Sequence, residues 1–144
     1  MAYKGRYRVK NVSKYMGNPT KVVYRSGWEL RFMKLCDDSS DIIGWSSEEV
    51  KIAYLSPVDN RWHRYWPDFL IKKRTLQGLI ETQLIEIKPK KQCSPPKKPP
   101  KKLSRRFLNE AATYAVNQAK WAAAIEFCRL RGWSFLILTE DDIL

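Results

Sequence analysis

One helical period runs unbroken over residues 107–128, and an apolar run follows it almost at once. Phe107, Ala111, Tyr114, Gln118, Trp121, Ile125 and Cys128 recur at alternating spacings of four and three, which lines one face of a helix. Ser104 supplies an N-cap and Gly132 a stop. Ala112, Ala115, Ala119 and Ala122 widen the face and permit close packing on a sheet. Gln118 interrupts the apolar face and reads either as an amide satisfied by backbone or as a group turned toward a site. Residues 133–138 then read as a buried strand. A long helix that crosses over to a final strand needs a sheet to pack on, so the chain is an α/β or α+β sandwich.

The preceding residues supply that sheet. Ser26-Gly27-Trp28-Glu29 has the form of a capping box, with serine as N-cap and glutamate at the third helical position. Trp28, Phe32, Leu35 and Cys36 fall on one face of this first helix, and Asp37-Asp38-Ser39-Ser40 ends it. Short β-like segments follow at 42–45 and 50–55, turn residues at 56–60, an extended run at 62–72 and a last strand at 79–87. At 144 residues the chain is one domain: a basic arm over 1–25, then a core over 26–144 with a Lys/Pro-rich loop at 89–103.

Charge narrows the partner. Lys and Arg exceed Asp and Glu by 27 to 15, a net charge of +12 that marks a polyphosphate partner. The first 28 residues hold no acid. Lys4, Arg6, Arg8, Lys10, Lys14, Lys21 and Arg25 are interleaved there with Tyr3, Tyr7, Tyr15 and Tyr24. That mixture suits an extended arm on a phosphate backbone, the alternative being an ordinary solvated terminus. Proline in the 89–103 segment excludes helix and sheet and favours a semi-stiff extended chain. Its Lys90, Lys91, Lys97, Lys98, Lys101 and Lys102 make it a solubilising linker or a clamp on a nucleic acid strand. Cys36, Cys93 and Cys128 form no CxxC and read as free thiols in a reducing compartment. No apolar run approaches the ~20 residues of a membrane span, and the first residues lack the apolar stretch of a secretory signal.

Pro67-Asp68 opens one apolar run, and Glu86-Ile87-Lys88 closes the next. Two carboxylates and a lysine then lie near the ends of adjacent strands. Hydrolysis of a phosphodiester needs an activated water and a counter-charge, and Mg²⁺ (or Mn²⁺) held by hard oxygen ligands supplies both. Asp68 and Glu86 are the carboxylate ligands in this reading, and the Ile87 carbonyl is a third. Lys88 shares a strand face with Glu86, where it can orient the water and stabilise developing charge. Glu29 is either a further metal contact or only the closing residue of its capping box. His63 is the only histidine, so no histidine-based metal cluster is available, and it reads as a strand-face or phosphate contact.

In this order, Glu29, Pro67-Asp68 and Glu86-Ile87-Lys88 resemble the PD-(D/E)XK nuclease superfamily. That resemblance implies an α-β-β-β-α-β core, a mixed β-sheet flanked by helices. Ser26 to Glu29, Tyr65-Trp66-Pro67-Asp68-Phe69 and Leu84-Ile85-Glu86-Ile87-Lys88-Pro89 are similar to Tn7-type transposon-end endonucleases. Tyr3-Lys4-Gly5-Arg6, Lys21-Val22-Val23-Tyr24-Arg25-Ser26, Glu86-Ile87-Lys88-Pro89-Lys90-Lys91 and Tyr114-Ala115-Val116-Asn117-Gln118-Ala119-Lys120-Trp121 resemble the head-completion nucleases of T-even-type phages. The resemblance implies magnesium, double-stranded DNA and the portal or head vertex as partners. It also implies action in the host cytoplasm between packaging and tail joining, and carries Glu29, Asp68, Glu86 and Lys88 over as the site. Tyr114 and Gln118 resemble, in reversed order, a helical Gln/Tyr motif of some relatives. Two further readings stay open: a non-catalytic assembly factor on a nuclease fold, and a transposon-end or repair nuclease.

Overall fold

The computed structural model describes residues 4–97 and 102–143. β1 (Gly5–Arg6) pairs antiparallel with β2 (Val23–Tyr24), and α1 (Gly27–Asp38) follows. β3 (Ile42–Ser47), a hairpin of β4 (Ile52–Leu55) and β5 (Trp62–Tyr65), β6 (Phe69–Arg74) and β7 (Ile80–Ile87) come next. α2 (Arg105–Arg131) then crosses to β8 (Ser134–Leu138), and the short α3 (Glu140–Ile143) ends the fold. The central sheet has the order β3-β6-β7-β8, antiparallel except for the parallel β7–β8 pair that the α2 crossover requires. The expected mixed sheet flanked by helices is what forms.

Strand alternation divides the core in two. Ile85 and Ile87 of β7 face α1 with Trp45, Phe69, Phe32 and Met33, whereas Leu84 faces α2 with Trp121, Ala124 and Cys128. Both helices start on serine caps: Ser26 accepts from the Glu29 N–H and Ser104 from the Phe107 N–H. Gly132, at φ 71°, ends α2 in the left-handed conformation that glycine adopts without a Cβ penalty.

Four expectations change. The segment read as an extended arm folds onto the α1 side of the sheet, where Tyr7, Val9, Tyr15 and Val22 are buried. Tyr7 and Tyr15 are core residues, the Tyr15 and Trp45 rings meeting edge-on at 4.8 Å, Tyr24 packs partly buried against them, and Tyr3 lies outside the described residues. The run read at 62–72 is two strands, because the turn through Trp66-Pro67-Asp68 passes the chain from the hairpin to the central sheet. The buried arc of α1 includes Met33 and Asp37, while Leu35 is exposed, because the folded N-terminal segment and α3 cover a second side of that helix. On α2 the buried line is Asn117, Trp121, Ala124 and Cys128, and Gln118 and Ile125 are exposed. Close approach to the sheet selects Ala124 over the bulkier Ile125. Lys98 and Lys101 lie outside the described residues.

Candidate active site

β6 and β7 pair in a register that sets Phe69 opposite Ile85, so the next pair outward is Asp68 and Glu86. The two side chains cross-link the strand ends. The Asp68 N–H donates to Glu86 Oε1 at 3.3 Å, and the Ile87 N–H donates to Asp68 Oδ2 at 2.8 Å. Lys88 Nζ stands 3.9 Å from Glu86 Oε2, and the Lys88 N–H is fixed by the Leu138 carbonyl of β8 at 3.0 Å. The sequence motif is thus gathered where three strands end together. Ile87 presents its N–H to Asp68.

Glu29 comes from the first turn of α1. Its N–H donates to Ser26 Oγ at 3.1 Å, while its carboxylate accepts from the Arg25 N–H at 3.4 Å. The capping box is therefore shifted by one residue, and the carboxylate remains directed toward Asp68. A third acid joins them. Carboxylate oxygens of Glu29, Glu48 and Asp68 lie within 4.8 Å of one another. Glu48 follows β3 with φ 52°, a left-handed backbone that costs a non-glycine residue about 1 kcal/mol. Its N–H is held by the Asp68 carbonyl at 3.1 Å. Its carboxylate takes a two-pronged bond from Arg25, Nε at 2.8 Å and Nη2 at 3.1 Å.

Electrostatics mark the same place. Burial, then the charge of Asp68, pushes the Glu29 carboxyl up to about 7. Asp68 and Glu86 are likewise held above the ordinary carboxylate range, both chiefly by burial; the Ile87 N–H and Lys88 oppose it at Asp68. Opposite them, Lys120 of α2 lies 5.5 Å from the Tyr65 ring centre, its ammonium lowered by burial and then by Lys88. A recess of about 470 Å³ opens beside Glu48 and Glu86, lined also by Arg25, Arg64, Tyr65, Trp66 and Lys120. Crowded, partly desolvated hard oxygens that resist ionisation together fit a divalent cation.

Gln118 does not line this recess; Lys120, two residues on, does. Glu48, Tyr65 and Lys120 were not singled out from sequence. The Ser47-Glu48-Glu49 acid pair in so basic a chain was a signal for the first, and nothing local distinguished the others. Of the basic residues, Lys10 pairs with Asp38 at 2.8 Å, Lys90 with Asp141 at 3.0 Å, and Lys14 caps carbonyls at the end of α1. Lys4, Arg6, Arg8, Lys21, Lys91, Lys97 and Lys102 are exposed. A second groove of about 790 Å³ runs between the Lys/Pro-rich segment and α2, past Lys91, Lys97, Arg106 and Tyr114, and contains none of the site acids. His63 is tied to Asp59 at 2.7 Å on the hairpin.

Comparison with known proteins bears on what this arrangement serves. Residues 39–140 match the model of the TnsA-like endonuclease N-terminal family, a span that holds Glu48, Asp68, Glu86 and Lys88. The chain belongs to that endonuclease family. Over 146 aligned positions it is also 42% identical to the protein named Head completion nuclease of Enterobacteria phage T4, covering 99% of this chain and 95% of the relative. The family match begins after α1 and so does not reach Arg25 and Glu29, whereas the match to the phage relative covers nearly the whole chain.

Proposed function

We propose that this chain is a magnesium-dependent endodeoxyribonuclease that acts on DNA in phage head completion, after packaging and before tail joining. The observation that carries the reading is the convergence of Asp68, Glu86 and Lys88 at the β6–β7 ends with Glu29 and Glu48. The name of the phage relative and the endonuclease family support it. Bound Mg²⁺, or Mn²⁺ in its place, supplies a water of lowered pKa and a clamp on phosphate oxygens. Asp68, Glu86, Glu48 and Glu29 furnish the hard oxygen ligands, with the Ile87 carbonyl as a further one. Lys88, beside Glu86, orients the attacking water and stabilises charge on the phosphate as it develops. Lys120 and Arg25 border the recess and receive the phosphates flanking the cut.

The exposed cations of the N-terminal segment and of the 89–103 loop grip double-stranded DNA; Lys98 and Lys101 belong to this reading by sequence alone. The head vertex or portal is the protein partner. The chain works in the host cytoplasm during assembly, and in the virion if it stays on the head. Among the described residues no helix is long and apolar enough to cross a membrane. The test is cleavage of supercoiled plasmid by purified protein with Mg²⁺. Nicking or linearisation that is lost with EDTA and lost in Asp68→Ala supports the reading. Full tail joining by heads supplied only with Asp68→Ala protein would leave a non-catalytic assembly factor in its place.

A further inference from the structure

The β4–β5 hairpin has one face that the core does not use. Its register pairs Leu55 with Trp62 and Ala53 with Arg64, and all four side chains point away from the buried partners Ile52, Tyr54 and Tyr65. Trp62 is 70% exposed, and Trp66, just past the end of β5, is 45% exposed. Neither indole has a ring or cation–π partner among the described residues, whereas Tyr54 and Tyr65 on the inner side are both engaged. Arg64 and Trp66 also line the recess that holds Glu48 and Glu86, so this exposed face adjoins the candidate site.

We infer that Trp62, Arg64 and Trp66 form a stacking platform for unpaired bases, so that the preferred substrate is DNA carrying a single-stranded or forked segment beside the cut. Resting on the nuclease reading, this deepens it to a substrate class. A guanidinium between two exposed indoles matches the alternation of base and phosphate in a single strand. A closed duplex offers its base faces to neither indole, because they are stacked inside. Charge is complementary: Arg61, Arg64 and Lys51 are exposed on or beside the hairpin, and Asp59 is taken by His63.

The test is fluorescence anisotropy in EDTA, which separates binding from cutting. A labelled Y-shaped DNA with unpaired arms is compared with a fully paired duplex of the same nucleotide number. Wild type binds the fork at least tenfold more tightly. Trp62→Ala with Trp66→Ala brings that ratio to within twofold while duplex affinity holds, and the double Phe variant keeps most of it. Equal affinity of wild type for the two DNAs overturns the platform, as does a preference that survives the double Ala change. If that change instead turns a dimer into a monomer in sedimentation and leaves fork preference intact, the face is a protein interface and the inference falls. A protein that prefers forks but never cuts plasmid keeps the platform and loses the nuclease; one that cuts paired DNA without preference does the reverse.

Discussion

Glu48 adopts a left-handed backbone at φ 52° and brings its carboxylate within 4.8 Å of two others with Arg25 as its counter-charge, so its local cost lies in the backbone. Glu48→Gly removes that backbone cost together with the Arg25 pair, which is largely exposed on the arginine side and contributes little. The account expects it to unfold in EDTA no more easily than wild type, more stable by up to about 1 kcal/mol, yet to bind Mn²⁺ at least tenfold more weakly in a calorimetric titration. Weaker folding with unchanged Mn²⁺ affinity would make Glu48 a structural residue. Glu29 gives the pH dependence. Its carboxyl lies near 7 in the fold against an ordinary 4.5, so the native state binds the extra proton between those values. Stability from this group is therefore full below pH 4.5 and falls as pH rises through 7. Asp68 and Glu86 shift the same way and add to the slope. Metal-free protein should melt lower at pH 8 than at pH 5, Glu29→Gln should flatten that difference, and Mg²⁺ should raise only the pH 8 value. Asp68, Glu86 and Lys88 were legible because each sits at a strand end within its own local motif. Glu48 and Lys120 were not, because tertiary packing alone brings them to the recess.

At the scale of elements, the N-terminal segment and α2 show where pattern stops being informative. Asp37 was read as the residue that ends α1; it is fully buried and ties that segment to the helix. It accepts from the Tyr7 hydroxyl at 2.6 Å, the Lys10 N–H at 2.7 Å and the Asn11 N–H at 3.0 Å. Burial raises its pKa, but these donors and Lys14 outweigh it and hold the carboxyl below its usual range. Its stabilising effect is lost only as pH falls below the ordinary 3.8, outside the window in which Glu29 titrates. Asp37→Ala leaves the Tyr7 hydroxyl and two backbone N–H groups without their acceptor, at about 3 kcal/mol, and Tyr7→Phe costs about 1 kcal/mol. Urea unfolding of the two variants measures both. Tyrosines among lysines looked like an extended arm because composition records polarity and not that Tyr7 and Tyr15 fold back onto Trp45. For α2 the ends were legible from Ser104 and Gly132, whereas its face was shifted by one residue, since Gln118 against Asn117 and Ile125 against Ala124 is decided by how closely the helix approaches β8.

Over the whole molecule, the net charge of +12 stands against a site built from acids. The two are compatible only if the surface cations draw DNA in and the recess takes up a cation of its own. Several exposed lysines and arginines already serve internal pairs, so fewer remain for phosphate than the sequence suggests. Neutralising about four phosphates gives a log–log salt slope of about −3.6, roughly a hundredfold loss of affinity between about 50 and 200 mM salt. Lys91→Glu with Lys97→Glu should reduce the slope by about 2 without changing metal affinity, as read by anisotropy across a salt series. The measurement that bears most directly on the account is an anomalous difference map from a Mn²⁺-soaked crystal at pH 8. The account predicts one strong peak within bonding distance of Asp68, Glu86, Glu48 and Glu29, with Arg25 withdrawn from Glu48. A saturating soak that leaves the acids without a peak, and Arg25 still paired with Glu48, would contradict it.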